Sequence, residues 1–192
     1  MSTISATTWM LVALIAIIAI SAIAAWNLVQ TRRTERLRAQ FGTEYARELW
    51  KTHDRSRAEK KLEDRWKRIE NLHIRPLTPR DRSCFIESWR MVQAQFVDNP
   101  GGALAEADKL LEDVMATRGY PTDEANFEQK VADISVEYPS VVEHYRAAHS
   151  LALLHARGGA STEDLRQATI HYRLLFEALI SEPIEVRARM AS

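Results

Sequence analysis

The sequence predicts an all-α protein, with one N-terminal transmembrane helix followed by a soluble domain of about five or six helices. Three observations lead to this prediction. Residues 1–31 carry no charged side chain, although the whole chain has 26 basic and 26 acidic residues. Apolar residues then recur every three or four positions, and proline and glycine are concentrated between these runs. No long run alternates polar and apolar residues as a half-buried strand would.

The membrane segment is predicted at residues 9–29, which read WMLVALIAIIAISAIAAWNLV and contain two polar residues, Ser21 and Asn27. As a helix, this segment spans about 31 Å, close to the hydrocarbon thickness of a bilayer. Trp9 and Trp26 lie near its two ends, where indole rings suit the membrane–water interfaces. The length and the absence of charge favour a membrane span over a buried helix of a soluble protein.

A cleaved signal peptide is the alternative interpretation of the same segment. Ala22-Ile23-Ala24 fits the small-residue pattern of a cleavage site. However, no Lys or Arg precedes the apolar run, and the run is long for the apolar core of a signal peptide. Cleavage near Ala24 would make the protein an exported envelope protein, and this alternative stays open.

The charge that flanks the membrane segment predicts its orientation. No Lys or Arg precedes the segment, whereas four arginines follow it closely, namely Arg32, Arg33, Arg36 and Arg38. By the positive-inside rule, residues 1–8 form a short extracytoplasmic N-terminus, and residues 32–192 lie on the cytoplasmic side of the inner membrane.

Residues 30–42 are predicted to extend the membrane helix as a basic juxtamembrane segment. Residues 32–68 contain 13 Lys or Arg against 7 Asp or Glu, whereas residues 69–192 contain 13 against 19. The overall neutrality is therefore a cancellation between a basic and an acidic part. We expect the basic residues near the membrane to contact anionic lipid headgroups. Nucleic acid is not an expected partner, because acidic residues are interleaved and no helix-turn-helix or base-stacking pattern occurs.

Beyond the membrane, the sequence predicts a helical domain over residues 43–181 and a frayed tail over residues 182–192. A domain of this length can bury its own hydrophobic core. A single cysteine, Cys84, excludes an intrachain disulfide and a cysteine-rich zinc site. Because Cys84 precedes Phe85 on a predicted helix, it is interpreted as a small packing residue.

Apolar stripes and capping residues predict the first helices of this domain. A charged helical stretch is predicted from Thr43 to Leu72, with an apolar stripe formed by Ala58, Leu62, Trp66, Ile69 and Leu72. Thr78 suits an N-cap, Pro79 suits the first helical position, and Asp81 lies three residues after the cap. Asn99-Pro100-Gly101-Gly102 is predicted to end this helix.

Four more helices are predicted in the rest of the domain. The first stops at Gly119, and the second is a short helix around Val131. The third begins at Pro139 and is closed by Gly158 and the glycine after it. Ser161 caps the last helix, which has an acidic residue three positions later and a buried face formed by Leu165, Ala168, Tyr172, Leu175 and Leu179.

The segments RTERLRAQFGTEYAR, HIRPLTPRDRSCFIESWRMVQAQFVDNP, ADKLLEDVMATRGYP and HYRAAHSLALLHARGGASTEDLRQATIHYRLLFEALI resemble a family of uncharacterised bacterial proteins. The members of this family are small single-pass membrane proteins with a helical cytoplasmic domain, usually described as hypothetical proteins. The resemblance covers nearly all of residues 32–181. It implies a bacterial origin, and it implies no activity and no functional residues.

No catalytic residue, cofactor site or metal site is predicted from the motifs. No phosphate-binding loop, dinucleotide fingerprint or nucleophile elbow is present. No two of the six histidines lie four positions apart in the sequence, which is the spacing of two histidines that bind one metal ion on a helix. Folding can still bring His149 near His171. The candidates for a pocket assembled only in the fold are His144, Tyr145, His149, His171 and Tyr172.

Taken together, the sequence favours a non-catalytic interaction module anchored at the inner membrane. Its expected partners are the lipid bilayer and either a cytoplasmic protein or a second copy of the chain. A helical ligand-binding or enzymatic domain is the alternative, with a site that only the fold assembles.

Overall fold

The computed structural model describes residues 6–122 and 126–181. The predicted tail over residues 182–192 and most of the predicted N-terminal segment, residues 1–8, lie outside the described residues. The all-α prediction is confirmed: 84% of the described residues are helical, and they form eight helices and no strand.

The helices are α1 (Ala6–Phe41), α2 (Thr43–Thr52), α3 (Arg55–Glu70), α4 (Pro79–Asp98), α5 (Pro100–Arg118), α6 (Phe127–Glu137), α7 (Val142–Ala156) and α8 (Thr162–Ile180). They fall into two compact units, residues 1–40 and residues 41–192.

The first unit is dominated by α1, which runs without a break through the predicted juxtamembrane extension. Among the described residues, its segment Trp9–Phe41 is the one helix long and apolar enough to cross a membrane. None of the most apolar 18-residue stretch of this segment is buried. The 36 residues of α1 correspond to a rod of about 54 Å, which is longer than the hydrocarbon core of a bilayer.

The core of the second unit is built around α5, which packs against α4 and α8. Its inward-facing residues are almost fully buried, namely Ala103, Leu104, Ala107, Leu111 and Val114. Each buried leucine contributes about 1.5–3 kcal/mol to stability. α7 packs along α8, so that α4, α5, α8 and α7 follow one another across the unit.

α4 lies at the edge of this core. Trp89 and Val92 are its two buried residues, and the indole of Trp89 stacks on the ring of Phe176 from α8, with ring centroids 4.8 Å apart. The side chains of Met91 and Val97 are 61% and 84% exposed. α4 therefore buries a narrow stripe and leaves the rest of its surface open.

The charged stretch from Thr43 to Leu72 forms two helices, so that the described part of the domain has seven helices in place of the expected five or six. α2 ends at His53, which adopts a left-handed conformation with φ 51°. Asp54 then caps α3, because its carboxylate accepts hydrogen bonds from the backbone N–H groups of Ser56 and Arg57. The two helices form a hairpin, and α3 packs on α6, which packs on α7.

The predicted break at Asn99-Pro100-Gly101-Gly102 is shorter in the structure, where Asn99 alone separates α4 from α5. The Asn99 side chain accepts a hydrogen bond from the Gly102 N–H at 3.0 Å, and Pro100 occupies the first helical position. Gly101 therefore lies inside the first turn of α5. A side chain at position 101 would collide with the imidazole of His155.

Candidate functional site

The five predicted pocket residues lie on two helices that pack side by side: His144, Tyr145 and His149 on α7, and His171 and Tyr172 on α8. The partner of His171 is His144, not His149. The Nδ1 atoms of His144 and His171 are 3.0 Å apart. Their rings are stacked, with centroids 5.1 Å apart and an interplanar angle of 22°.

The distance between the two Nδ1 atoms means that one imidazole donates a hydrogen bond to the other. In a neutral imidazole one nitrogen carries a proton and the other has a free lone pair, so opposite tautomers satisfy this contact. Burial lowers the pKa of His171, and the charge of His144 lowers it further. His171 is therefore neutral at neutral pH, and neutral imidazole is the form that binds metal ions.

The other three predicted residues belong to a neighbouring aromatic cluster. His149 stacks on Phe127 of α6 with ring centroids 3.6 Å apart, and Phe127 also lies 4.9 Å from the ring of Tyr145. The rings of Tyr145 and Tyr172 are 6.3 Å apart, and both side chains are almost fully buried. Burial raises the pKa of both tyrosines, and the negative charge of Asp108 raises both further.

Asp108 on α5 is the member of this cluster that sequence reasoning missed. Its Oδ1 atom is buried without a hydrogen-bond partner, and so is the hydroxyl of Tyr172. Burial raises the pKa of Asp108, and the adjacent Tyr172 hydroxyl lowers it only in part. The sequence did contain a signal for the burial of this residue, because Asp108 lies between Leu104 and Leu111 on an otherwise apolar stripe. A carboxylate in such a setting is typical of functional sites.

A second polar feature is a network of ion pairs that joins α2 to α3 and α7. Glu44 and Glu48 of α2 are 1% and 3% exposed. Arg65 of α3 lies 2.5 Å from Glu48 and 3.7 Å from Glu44, and Arg146 of α7 also binds Glu44. Burial raises the pKa of Glu48, but Lys61 and Arg65 lower it by more, so that it lies below its ordinary value.

Further ion pairs extend this network at its edges. Arg47 of α2 donates two hydrogen bonds to Glu143 of α7, at 2.6 and 2.8 Å. Arg68 of α3 binds Asp133 of α6 at 3.1 Å. The carboxylate of Asp133 is 3% exposed, so that removing Arg68 would leave an uncompensated buried charge. Arg47 and Glu143 are 38% and 43% exposed, so that their ion pair contributes less. These contacts therefore fix the α2–α3 hairpin on α6 and α7.

A polar groove of about 340 Å³ lies between α3 and α6. It is lined by Lys61, Asp64, Arg65, Arg68, Asn126, Glu128, Gln129 and Ala132. Two of its cations, Arg65 and Arg68, are already paired with carboxylates of α2 and α6. The groove therefore carries charges of both signs and has no strong preference for an anion.

The predicted membrane-interface residues all lie on α1. Trp9 and Trp26 are 63% and 67% exposed. The four arginines are exposed or of intermediate exposure, namely Arg32, Arg33, Arg36 and Arg38. On a helix they lie within about 14 Å of residue 29 along the axis. We call these four arginines the basic collar.

Cys84 is exposed on the outer surface of α4. The interpretation as a packing residue is therefore wrong, because α4 turns Trp89 and Val92 towards the core. Among the described residues, no group of three or more His, Cys, Asp or Glu side chains is placed to hold a metal ion.

Comparison of the chain with protein-family models, with curated proteins and with solved structures finds no match. The resemblance to uncharacterised bacterial membrane proteins thus stays a prediction. The functional argument depends on the geometry described above.

Proposed function

We propose that the protein is a single-pass protein of the bacterial inner membrane, whose helical domain lies in the cytoplasm and binds another protein chain without catalysing a reaction. The observation that carries this proposal is the contrast between the two units. The long apolar stretch of α1 is not covered by the protein, whereas residues 41–192 form a compact unit with its own core. Lipid is the solvent that suits an uncovered apolar helix of this length.

The orientation in this proposal follows from the basic collar. Lys and Arg near the ends of a span are retained on the cytoplasmic side, and all four nearby arginines follow the apolar stretch. In the proposed topology, these arginines lie at the level of the headgroups and just beyond. Each basic residue near an anionic surface contributes about 1 kcal/mol to binding. The collar thus supports both the topology and a contact with anionic lipid.

The interaction role is supported by large apolar side chains on the surface of the domain. Trp50 on α2 is 76% exposed, and Met91 and Val97 on α4 are 61% and 84% exposed. Trp and Met are enriched in protein interfaces, and a few large side chains such as Trp supply most of the binding energy there. The partner is either a cytoplasmic protein or a second copy of the chain.

The topology is tested by labelling Cys84, the single cysteine of the chain, which is exposed. In spheroplasts, a membrane-impermeant maleimide should label Cys84 only after the membrane is permeabilised. The matched control is Thr3→Cys in a Cys84→Ser background, which should be labelled before permeabilisation. Labelling of Cys84 in intact spheroplasts would overturn the proposed orientation. The intact mass of the purified protein separates a full chain from one cleaved near Ala24.

The interaction is tested with a photo-crosslinking amino acid placed at Val97 or at Trp50 in the full chain in cells. Glu106, an exposed polar position on α5, is the control. We expect a discrete product of higher mass from the apolar positions and none from the control. Mass spectrometry distinguishes a dimer of this chain from a different partner. No product from either apolar position, together with a monomeric chain in micelles, would refute the interaction role.

A second candidate function is a ligand-binding or enzymatic site assembled around Asp108. The observation that favours it is the carboxylate of Asp108 beside the buried hydroxyl of Tyr172, because burial raises the pKa of Asp108 and the interaction with Tyr172 offsets this only in part. Native mass spectrometry of the purified chain tests this candidate. A small molecule that co-purifies with the wild-type protein and is lost from the Asp108→Asn variant would support it, and a bare chain in both samples would count against it.

A further inference from the structure

The contact between His144 and His171 is held in place by the most extensive helix packing in the domain. α7 and α8 pack along each other, and residues next to the two histidines, Tyr145 and Tyr172, are almost fully buried. The imidazoles themselves are only half-buried. The packing of α7 on α8 thus holds two half-buried imidazoles side by side.

We propose that His144 and His171 together bind one divalent transition-metal ion through their Nδ1 atoms. Neutral imidazole is a good ligand for copper, nickel and zinc. The two Nδ1 atoms, 3.0 Å apart, face each other across a space that one shared proton now fills. When an ion binds, the imidazole that carries its proton on Nδ1 changes to the Nε2–H tautomer, so that the lone pairs of both Nδ1 atoms bind the ion. The proposal does not depend on whether the domain binds a protein partner.

The separation of the two nitrogens selects among these metals. With each nitrogen about 2.0 Å from the ion, a separation of 3.0 Å corresponds to an angle of about 97° at the metal. This is close to the right angle between neighbouring ligands of a tetragonal ion and smaller than a tetrahedral angle. Tetragonal geometry is typical of Cu²⁺ and Ni²⁺, whereas Zn²⁺ favours a tetrahedron. We therefore expect Cu²⁺ and Ni²⁺ to bind more tightly than Zn²⁺.

The remaining coordination positions of the ion are expected to hold water. Among the described residues, no third His, Cys, Asp or Glu completes a ligand group. Glu143, which precedes His144 on α7, is bound to Arg47 and Arg146. The protein then contributes two ligands, one from each helix, and the ion links α7 to α8. A ligand that binds only the folded state raises stability with its concentration.

The experiment is a titration of the full chain in detergent micelles with NiCl₂, after treatment with EDTA and without a polyhistidine tag. We expect one Ni²⁺ per chain by calorimetry and a melting temperature that rises with Ni²⁺ concentration. His144→Gln and His171→Gln should each weaken binding by at least about tenfold, because each removes one of two protein ligands. The matched control is His73→Gln, an exposed histidine, which should bind Ni²⁺ as the wild type does.

Three results would overturn the proposal: no saturable Ni²⁺ binding, unchanged binding in both histidine variants, or equal weakening in His73→Gln. Tighter binding of Zn²⁺ than of Ni²⁺ would overturn the tetragonal geometry. Electron paramagnetic resonance of the Cu²⁺-loaded Cys84→Ser chain is a readout that keeps both histidines, so that it does not depend on whether the histidine variants fold. Hyperfine coupling to two imidazole nitrogens supports the site, and coupling to one nitrogen or none contradicts it.

Discussion

The Arg146 guanidinium on α7 binds the Glu44 carboxylate on α2 through both of its terminal nitrogens, across 102 positions of sequence. The second of these contacts, from Nη2 to Oε2, measures 3.0 Å. The side chains are 10% and 1% exposed. Burial alone would lower the pKa of Arg146, but the hydrogen bonds and charge of Glu44 raise it above its ordinary value. Arg146 therefore stays charged, and the contact ties the first hairpin of the domain to α7.

Replacing Arg146 with alanine should destabilise the protein by about 3–5 kcal/mol, the usual cost of leaving one partner of a buried ion pair. The remaining cation near Glu44 is Arg65, at 3.7 Å, which is too far for a hydrogen bond. Urea unfolding of the full chain in micelles, followed by tryptophan fluorescence, measures this loss. Arg173→Ala is the control, because Arg173 pairs with Glu177 on the surface, and it should cost less than about 1 kcal/mol.

A double variant separates the charge effect from lost packing. Glu44→Leu combined with Arg146→Met replaces the ion pair with apolar side chains, which in buried sites is often neutral or stabilising. We expect it to be more stable than Arg146→Ala. If the double variant is as unstable as the single one, the pair contributes through shape and not through charge.

Gly119 is predicted to tolerate alanine much less well than Gly158. Both glycines have positive φ, 97° and 75°, and alanine in this region costs about 1–2 kcal/mol. A Cβ atom at position 119 would also lie 2.8 Å from the backbone oxygen of His73, whereas one at position 158 meets nothing. Unfolding of Gly119→Ala and Gly158→Ala should therefore show the larger loss for Gly119. Equal losses would mean that the segment around His73 moves freely.

Local sequence signals predicted much of this fold. Thr78 caps α4 by accepting a hydrogen bond from the Asp81 N–H, and Ser161 and Asp164 form a capping box on α8. Such caps can be predicted from sequence because the capping residue and its hydrogen-bond partner lie three positions apart in the chain. The buried face predicted for α8 is also confirmed in full, from Leu165 to Leu179.

Features that depend on contacts between distant parts of the chain, or on a weak local signal, could not be predicted in the same way. Asp54, a favoured N-cap residue, was a local sign of the start of α3, but it lies within a charged run, and no glycine marks the left-handed residue His53 that ends α2. Asp108 resembled a surface charge in a helical run, and its burial depends on α7 and α8. The pairing of His144 with His171 spans 27 positions and depends on the register of two helices, which a single sequence does not specify.

The stability of the protein should fall as the pH decreases from 7 to about 5.5, in part because of His171. Its pKa in the folded protein lies below the ordinary value of 6.5, so the unfolded chain takes up the proton first. Protonation then favours unfolding, beginning as the pH falls through the unfolded value and ending below the folded one. Urea unfolding in the presence of EDTA should show a weaker pH dependence for His171→Gln than for the wild type. The His73→Gln control should retain the full slope, and an unchanged slope in His171→Gln would contradict the prediction.

Asp108→Asn should raise the stability of the protein at pH 7. Burial raises the pKa of Asp108 above its ordinary value of 3.8, so the folded protein binds this proton more readily than the unfolded chain. The ionised carboxylate therefore lowers stability, and this penalty grows as the pH rises from the unfolded pKa through the folded one. Asparagine keeps the shape without the charge, so its advantage should shrink when urea unfolding is repeated near pH 4. Asp113→Asn, an exposed position on the same helix, should change stability by less than about 0.5 kcal/mol. A loss of stability in Asp108→Asn at pH 7 would show that the ionised carboxylate is stabilised in the fold and that Asp108 is a structural residue.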